Sequence, residues 1–326
     1  VNYKQSAKNK MKKDFSKIHP QLQQSAKMFP NLTYSKSNVW LINLLSRLVP
    51  ASKPPQDVNI ENVFITRNNG NQKIRLRIYK PKSSNEAMPV LVWMHGGGYI
   101  VGNPNQDDVS CIHYAREVGI TVVSVDYRLA PKYPFPAGLE DSYSALKWIV
   151  SNAQQLGVDN NRIAVGGGSA GAGLATSLAQ FSYDQNEIKI IFQLLVYPML
   201  DDRTVLRTEL DDSNNITWNQ KSNQFGWESY LGKKCGDENM PDYAVPARRE
   251  NLSGLPTTWI GVGTLDIFYD EDMAYAQRLK QAGVQCEAYV VSGAFHGFDV
   301  FDAQIPIVQE FRKSQITALK KCFFGN

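Results

Sequence analysis

The sequence predicts an α/β protein, built on a mostly parallel sheet with helices on both faces. Three observations carry that expectation. Short apolar runs suited to buried strands alternate with amphipathic stretches of helical period. One strand-to-helix junction reads Gly167-x-Ser169-x-Gly171. An acid and a histidine then follow two later strand-like runs in succession, which places them at one edge of a parallel sheet.

The elements follow in order. Residues 1 to about 50 read as helical, with breaks around Pro20 and Pro30. Lys4, Lys8 and Lys12 fall at helical spacing there and mark a solvated face. The stretch from Pro50 to Pro55 is a linker, because prolines cannot continue a helix. Val63 to Thr66 and Ile74 to Tyr79 form two short strands around Asn68-Asn69-Gly70-Asn71, a hairpin signal. Buried strands are predicted at Val90–Met94, Thr121–Val125, Ile163–Val165, Ile190–Val196, Thr258–Val262 and Ala288–Val291. Helices are predicted around 106–118, 138–154, 170–182, 270–282 and 305–321. Residues 199 to about 232 break the rhythm, since a simple strand–helix–strand step is shorter. They carry Trp218, Phe225, Trp227 and Tyr230 among many charges, and read as an excursion over the strand ends.

Composition narrows the function. A chain of 326 residues can bury a large core as a single α/β unit. The net charge of +4 is mild, and no interleaved aromatics or recognition motif accompany the N-terminal lysines, so no nucleic-acid partner is expected. Cys111, Cys235, Cys286 and Cys322 are scattered, with no zinc spacing, and read as reduced thiols in the cytoplasm. The N-terminal segment lacks the apolar core of a secretory signal. The run from Val39 to Leu45 is too short to span a bilayer, so no membrane span is expected.

Chemistry concentrates at four places. Ile163 to Val165 runs into Gly166-Gly167-Gly168-Ser169-Ala170-Gly171, and a helix follows. A nucleophile elbow needs this arrangement: a serine on a sharp turn, with small neighbours that let strand and helix crowd together. The same residues also satisfy Gly166-x-Gly168-x-x-Gly171, a dinucleotide-binding pattern, and a plain tight turn would read alike. A second loop favours the elbow. Strand Val90–Met94 ends in His95-Gly96-Gly97-Gly98, whose backbone N–H groups can converge on a carbonyl oxygen that gains charge during acyl transfer. A nucleotide site has no use for it. Asp266 follows the strand Thr258–Val262, and His296 follows Ala288–Val291. A serine hydroxyl needs a base to take its proton, and the base needs a carboxylate to hold its tautomer. His113, in a predicted helix, and Asp270 and Asp272, further along a helix, are weaker rivals for those two roles.

With these residues in place the chain resembles the hormone-sensitive-lipase-like esterases of the α/β-hydrolase fold, from about residue 60 to the end. The resemblance rests on His95-Gly96-Gly97-Gly98-Tyr99-Ile100-Val101-Gly102 and Gly167-Gly168-Ser169-Ala170-Gly171. It extends through Asp126-Tyr127-Arg128-Leu129-Ala130-Pro131, Phe135 to Asp141, Asp266-x-x-x-Asp270-Glu271 and His296-Gly297-Phe298. It implies a helical cap, with residues 1–55 as an N-terminal cap segment. Residues 56–326 would be the catalytic domain, interrupted by the excursion at about 199–232. It also implies carboxylic-ester hydrolysis with no cofactor and no metal. Ser169, Asp266 and His296 would be the triad, the N–H groups of Gly97, Gly98 and Ala170 the oxyanion hole, and His95 a residue that shapes its loop. The sequence departs from the family at Gly168, where an aspartate is usual, and at Ile267-Phe268, where Pro-Leu is common.

The expected partner is a small-molecule ester with a short to medium acyl chain; a homodimer is compatible with the sequence. An amidase or arylformamidase on the same triad is the alternative within the fold. A small-ligand receptor is the alternative outside catalysis, and the retained His296 argues against it.

Overall fold

The computed structural model describes residues 14–29, 32–48, 51–67, 72–82, 86–209, 214–300 and 302–325. Eight strands form one sheet: β1 (Val58–Thr66), β2 (Lys73–Pro81), β3 (Met88–Met94), β4 (Thr121–Val125), β5 (Val158–Gly168), β6 (Phe192–Val196), β7 (Thr257–Gly263) and β8 (Cys286–Val291). Their order is β1-β2-β4-β3-β5-β6-β7-β8. β2 runs antiparallel to both β1 and β4, and every other pair is parallel. The α/β-hydrolase sheet expected from the alternation is present, and each strand predicted from an apolar run has its counterpart.

The helices among the described residues are α1 (Gln23–Met28), α2 (Val39–Ser46), α3 (Asp108–Tyr114), α4 (Ala137–Ser151), α5 (Ala153–Leu156), α6 (Ala170–Gln185), α7 (Gln220–Leu231), α8 (Tyr269–Gln281) and α9 (Pro306–Phe324). Every residue of β3 is buried, as a strand covered on both faces must be. Its side chains alternate between two cores. Val90, Val92 and Met94 join Leu146 of α4, Leu178 of α6 and Leu279 of α8. Leu91 and Trp93 join Cys111 of α3 and Phe311 of α9. The sheet is therefore sandwiched, and its parallel strands end along one edge, where the loops after β3, β5, β7 and β8 meet.

Several elements differ from the expectation. β5 begins at Val158, ahead of its apolar run, because Asp159 to Arg162 are polar and partly exposed while still extended. The N-terminal region is less helical than its pattern suggests. Short 3-10 turns at Phe15–Lys17 and Pro20–Leu22 precede α1, and α2 spans only eight residues. After β6 the chain does not rejoin the sheet at 232; helix α7 stops there, and the next strand begins at Thr257. Lys4, Lys8 and Lys12, the prolines at 30 and 50, and the turn Asn68–Asn71 lie outside the described residues, although β1 and β2 pair in register from Val58 with Pro81 to Thr66 with Lys73.

Candidate active site

Strand β5 ends at Gly168 and α6 begins at Ala170, so Ser169 is the single residue of the turn. It takes φ 56° and ψ −121°, a conformation that costs a non-glycine residue on the order of 1–3 kcal/mol and survives only where its surroundings enforce it. Three backbone bonds do so. Ser169 N–H donates to the Val196 carbonyl at 2.9 Å, and the Ser169 carbonyl accepts from Gly173 at 3.0 Å and Met199 at 3.1 Å. Close approach explains the glycine after the next residue: a Cβ on Gly171 would lie 2.0 Å from the Met94 carbonyl oxygen. Gly171, with Gly167 packed against it, thus seats the helix against β3, while Gly166 lies against Leu194 of β6.

His296 Nε2 lies 2.9 Å from Ser169 Oγ, and His296 Nδ1 lies 2.8 Å from Asp266 Oδ2. The other carboxylate oxygen, Oδ1, accepts from the Phe268 N–H at 2.9 Å, which fixes the plane of the acid. All three residues are buried. The imidazole is held edge-on by Tyr197 and Phe268, with ring centroids 4.8 Å and 5.1 Å away. Its main chain is tied to the excursion, since Thr217 Oγ1 donates to the His296 carbonyl at 2.5 Å.

The glycine loop faces the elbow. A Cβ on Gly96 would sit 3.6 Å from Ser169 Cβ, and Gly97 and Gly98 take φ 120° and 59°. Among the described residues the N–H groups of Gly97, Gly98 and Ala170 have no protein acceptor, so they are free for an oxygen of a substrate. His95 stacks on Tyr127 at 4.3 Å, its Nδ1 lies 2.8 Å from the Gly96 carbonyl, and burial lowers its pKa. A neutral imidazole donating to that carbonyl braces the loop. Tyr127 closes the brace by donating its hydroxyl to the His95 carbonyl at 2.7 Å. The Asp126–Pro131 stretch is anchored in turn by Arg128 on the buried Asp141.

A cavity of about 240 Å³ opens on Ser169 and His296. Trp218 walls it against the glycine loop: a Cβ on Gly98 would come within 2.1 Å of the indole. Tyr34, from the N-terminal region, packs on Trp218 with centroids 5.3 Å apart. Trp227 and Tyr230 do not reach the cavity. Trp227 is fully buried, and Tyr230 stacks on Tyr99 at 3.9 Å, so both belong to the core rather than to the cavity wall. Phe225 also packs against that core.

The rivals sit elsewhere. His113 lies on α3 beside a separate surface groove. Asp270 pairs with Arg207 at 2.7 Å on the surface. Asp272 is fully buried. Asp202, just after β6, is held by Arg248 and the Gly236 N–H.

Sequence reasoning missed several residues. Glu271 accepts from the Leu200 and Asp201 N–H groups at 2.7 and 3.1 Å and from the Thr204 hydroxyl, pinning the start of the excursion to the helix behind Asp266. Tyr34, Thr217, Tyr197, Asp107 and Asp299 also reach the cavity. No local pattern announces them, because each is brought in by packing between distant segments. Among the described residues, no helix is long and apolar enough to cross a membrane.

Comparison with known proteins agrees with this geometry. A family described as alpha/beta hydrolase fold matches residues 91–300. Carboxylesterase NlhH of Mycobacterium tuberculosis is 34% identical over 282 residues, covering 85% of this chain and 88% of its own. Esterase LipI of the same organism is 34% identical over 256 residues, covering 77% and 79%. Among solved structures, a bacterial heroin esterase superposes with a TM-score of 0.87 at 32% identity, covering 95% of this chain and 99% of that one. Esterase LipW from Mycobacterium marinum superposes at 0.84 with 33% identity, covering 96% and 98%. With its eight-stranded sheet and its serine, histidine and aspartate in hydrogen-bonded series, the chain belongs to the hormone-sensitive-lipase-like esterases of the α/β-hydrolase family and is a carboxylesterase.

Proposed function

We propose that Ser169 is the nucleophile, His296 the general base and Asp266 the group that orients it, and that the N–H groups of Gly97, Gly98 and Ala170 form the oxyanion hole. The observation that carries this reading is the unbroken series from Asp266 through His296 to Ser169, at 2.8 and 2.9 Å, ending on a serine in an enforced turn. Ser169 Oγ attacks the ester carbonyl while His296 Nε2 takes its proton. The carbonyl oxygen gains charge against the three N–H groups. His296 then gives the proton to the departing alcohol, leaving an acyl-enzyme, and water repeats both steps to release the acid.

Ser169→Ala is expected to lower ester hydrolysis by roughly 10³-fold or more while the protein stays folded. An organophosphonate should label Ser169 in the wild type. Labelling at another serine, or an active alanine variant, sinks the assignment.

The substrate reading is a short to medium acyl ester. Support comes from the modest cavity and its walls of Trp218 and Tyr34, which limit how far an acyl chain can extend. Each buried methylene adds about 0.8 kcal/mol, so kcat/KM should rise about fourfold per carbon until the cavity is full and then fall. A rate that keeps climbing to long chains, or jumps on an emulsion, marks a true lipase instead. Residues 1–55 and about 199–232 act in this reading as a cap over the catalytic domain 56–326. A cytoplasmic setting fits the four unpaired thiols. A homodimer fits the open sheet edge at β8, whose Val290 is 40% exposed, and sedimentation analysis tests it.

A further inference from the structure

The wall of the cavity that opens on Ser169 carries two acids. Asp107, from the loop that follows the glycine turn, and Asp299, three residues past His296, both line it. Neither role in acyl transfer requires them, and neither carries an ion pair: among the described residues no lysine, arginine or histidine lies within bridging distance of either carboxylate. Each is instead held in place by neutral side chains, Asp107 by Trp93 and Gln106 and Asp299 by Tyr197. Trp93 Nε1 donates to Asp107 Oδ2 at 2.7 Å, and the Tyr197 hydroxyl donates to Asp299 Oδ1 at 2.8 Å. Asp299 is only 5% exposed, and what it faces is the cavity. Burial raises both pKa values; Asp299 and Asp108 push Asp107 further, to about 7, whereas Arg312, the Tyr197 hydroxyl and His296 hold the rise of Asp299 back. Arg312 of α9 attracts Asp299 without pairing with its carboxylate: its Nη2 donates to the Asp299 main-chain carbonyl at 2.7 Å. Asp108, beside Asp107, is neutralised by Arg77 at 2.7 Å.

Aromatic rings supply much of the remaining wall: Trp93 and Tyr197, which donate to the two acids, and Tyr114 and Trp218 also line the cavity. Rings present negative faces to a cation, and fixed carboxylates supply the counter-charge; together they are the chemistry that recognises a quaternary or tertiary ammonium. An uncharged acyl chain would gain from the rings and leave the two acids desolvated, whereas an anionic substrate would be repelled.

We propose that Asp107 and Asp299 make this enzyme selective for esters that carry a cationic, ammonium-type group, whose charge is received between the two carboxylates and the surrounding rings. The proposal rests on Ser169 being the nucleophile of this cavity. Its position leaves the charge on either side of the ester bond, acyl or alcohol, and the experiment separates them.

The test uses two pairs of esters that differ only in replacing a quaternary nitrogen by carbon. One pair is acetylcholine and its carbon isostere, with the charge on the alcohol; the other is an aryl ester of a trimethylammonio-butyrate and its isostere, with the charge on the acyl group. The readout is the ratio of kcat/KM, charged over neutral. In the wild type this ratio is expected to exceed about tenfold in one pair, and Asp107→Asn and Asp299→Asn are each expected to lower it by about tenfold. The ratio should also rise with pH through about 7, as Asp107 loses its proton; the histidine is common to both esters and cancels. Tetramethylammonium should compete with a neutral ester where tert-butanol does not, a measurement that stands even if Asp299→Asn fails to fold. Ratios near one in both pairs, or ratios unchanged in a folded Asp107→Asn, overturn the proposal. The neutral esters report separately on the triad, because their turnover must vanish in Ser169→Ala whatever the ratios show.

Discussion

Two glycines on either side of Ser169 make opposite predictions. Gly168 lies at the end of β5, and a Cβ there would meet only Tyr197 Cε2, at 3.8 Å, an ordinary van der Waals contact. Its backbone is not in the left-handed region. Gly168→Ala therefore restricts the unfolded chain without straining the folded one, a gain of about 0.4–1 kcal/mol. At Gly171 the added carbon would sit 2.0 Å from the Met94 carbonyl oxygen and 2.5 Å from that of His95. Both are backbone atoms of the strand end and cannot rotate away, so α6 must withdraw from β3. Overpacking of this kind costs about 1–3 kcal/mol or more. At about 2.1 cal/mol/K of unfolding entropy per residue, 1 kcal/mol corresponds to roughly 1.5 °C for a chain of this length. Scanning calorimetry should place Gly168→Ala about 1 °C above the wild type and Gly171→Ala about 2–5 °C below it. Activity should persist in the first and collapse in the second, because the helix that withdraws carries the Ala170 N–H and the turn of Ser169. The aspartate usual in the family fits at 168 for the same steric reason, so Gly168→Asp should remain active. If Gly168→Ala melts as low as Gly171→Ala, the account of the elbow as a close contact between helix and strand is refuted.

Two further outcomes are expected. Trp218→Ala should move the preferred acyl chain to greater length by opening the wall beside Gly98, measured as a shift in the kcat/KM maximum across a series of esters; an unmoved maximum means the indole does not bound the acyl group. Asp272→Asn should be more stable than the wild type at neutral pH, with a gap that closes towards pH 4. Burial, with Glu271 and Asp266 nearby, raises the folded carboxyl's pKa well above its unfolded value. The fold thus holds a proton that the unfolded chain releases above about pH 4, and wild-type stability falls relative to the asparagine variant by up to about 1.4 kcal/mol per pH unit until the folded group ionises. A gap that does not vary with pH in denaturant titrations contradicts this.

The sheet was legible in the sequence because six of its eight strands are largely buried and so must be apolar; even the two exposed edge strands kept a signal, Val63 to Thr66 in β1 and Ala288 to Val291 in β8. What escaped were the polar extensions of strands, such as Asp159 to Arg162, which stay extended through ladder bonds that leave no mark on side-chain polarity. At the site, Ser169, Asp266, His296 and the glycine loop could be read because each follows a strand and has a chemically restricted identity. Asp107 and Asp299 could not. An aspartate at a loop or helix start is ordinary in sequence, and only the fold turns these two towards one cavity. The path from Gly232 to Thr257 was equally opaque: it is mostly irregular, with one short 3-10 turn at Pro246–Arg248, and is held by bonds such as Arg248 on Asp202 that no periodicity encodes.

The excursion after β6 is attached at its start and at its middle. Its start is gripped by Glu271, shortly beyond the Asp266 loop, and its middle reaches His296 through Thr217. Shortening it to widen the binding site would therefore not yield a broader esterase. It would strand a buried glutamate without its donors and release the backbone of the histidine, so that trimming meant to relax substrate choice would silence the chemistry first. Libraries aimed at new substrates should leave the segments around 200–204 and 217 untouched and vary Trp218 and Tyr34 in the cavity wall.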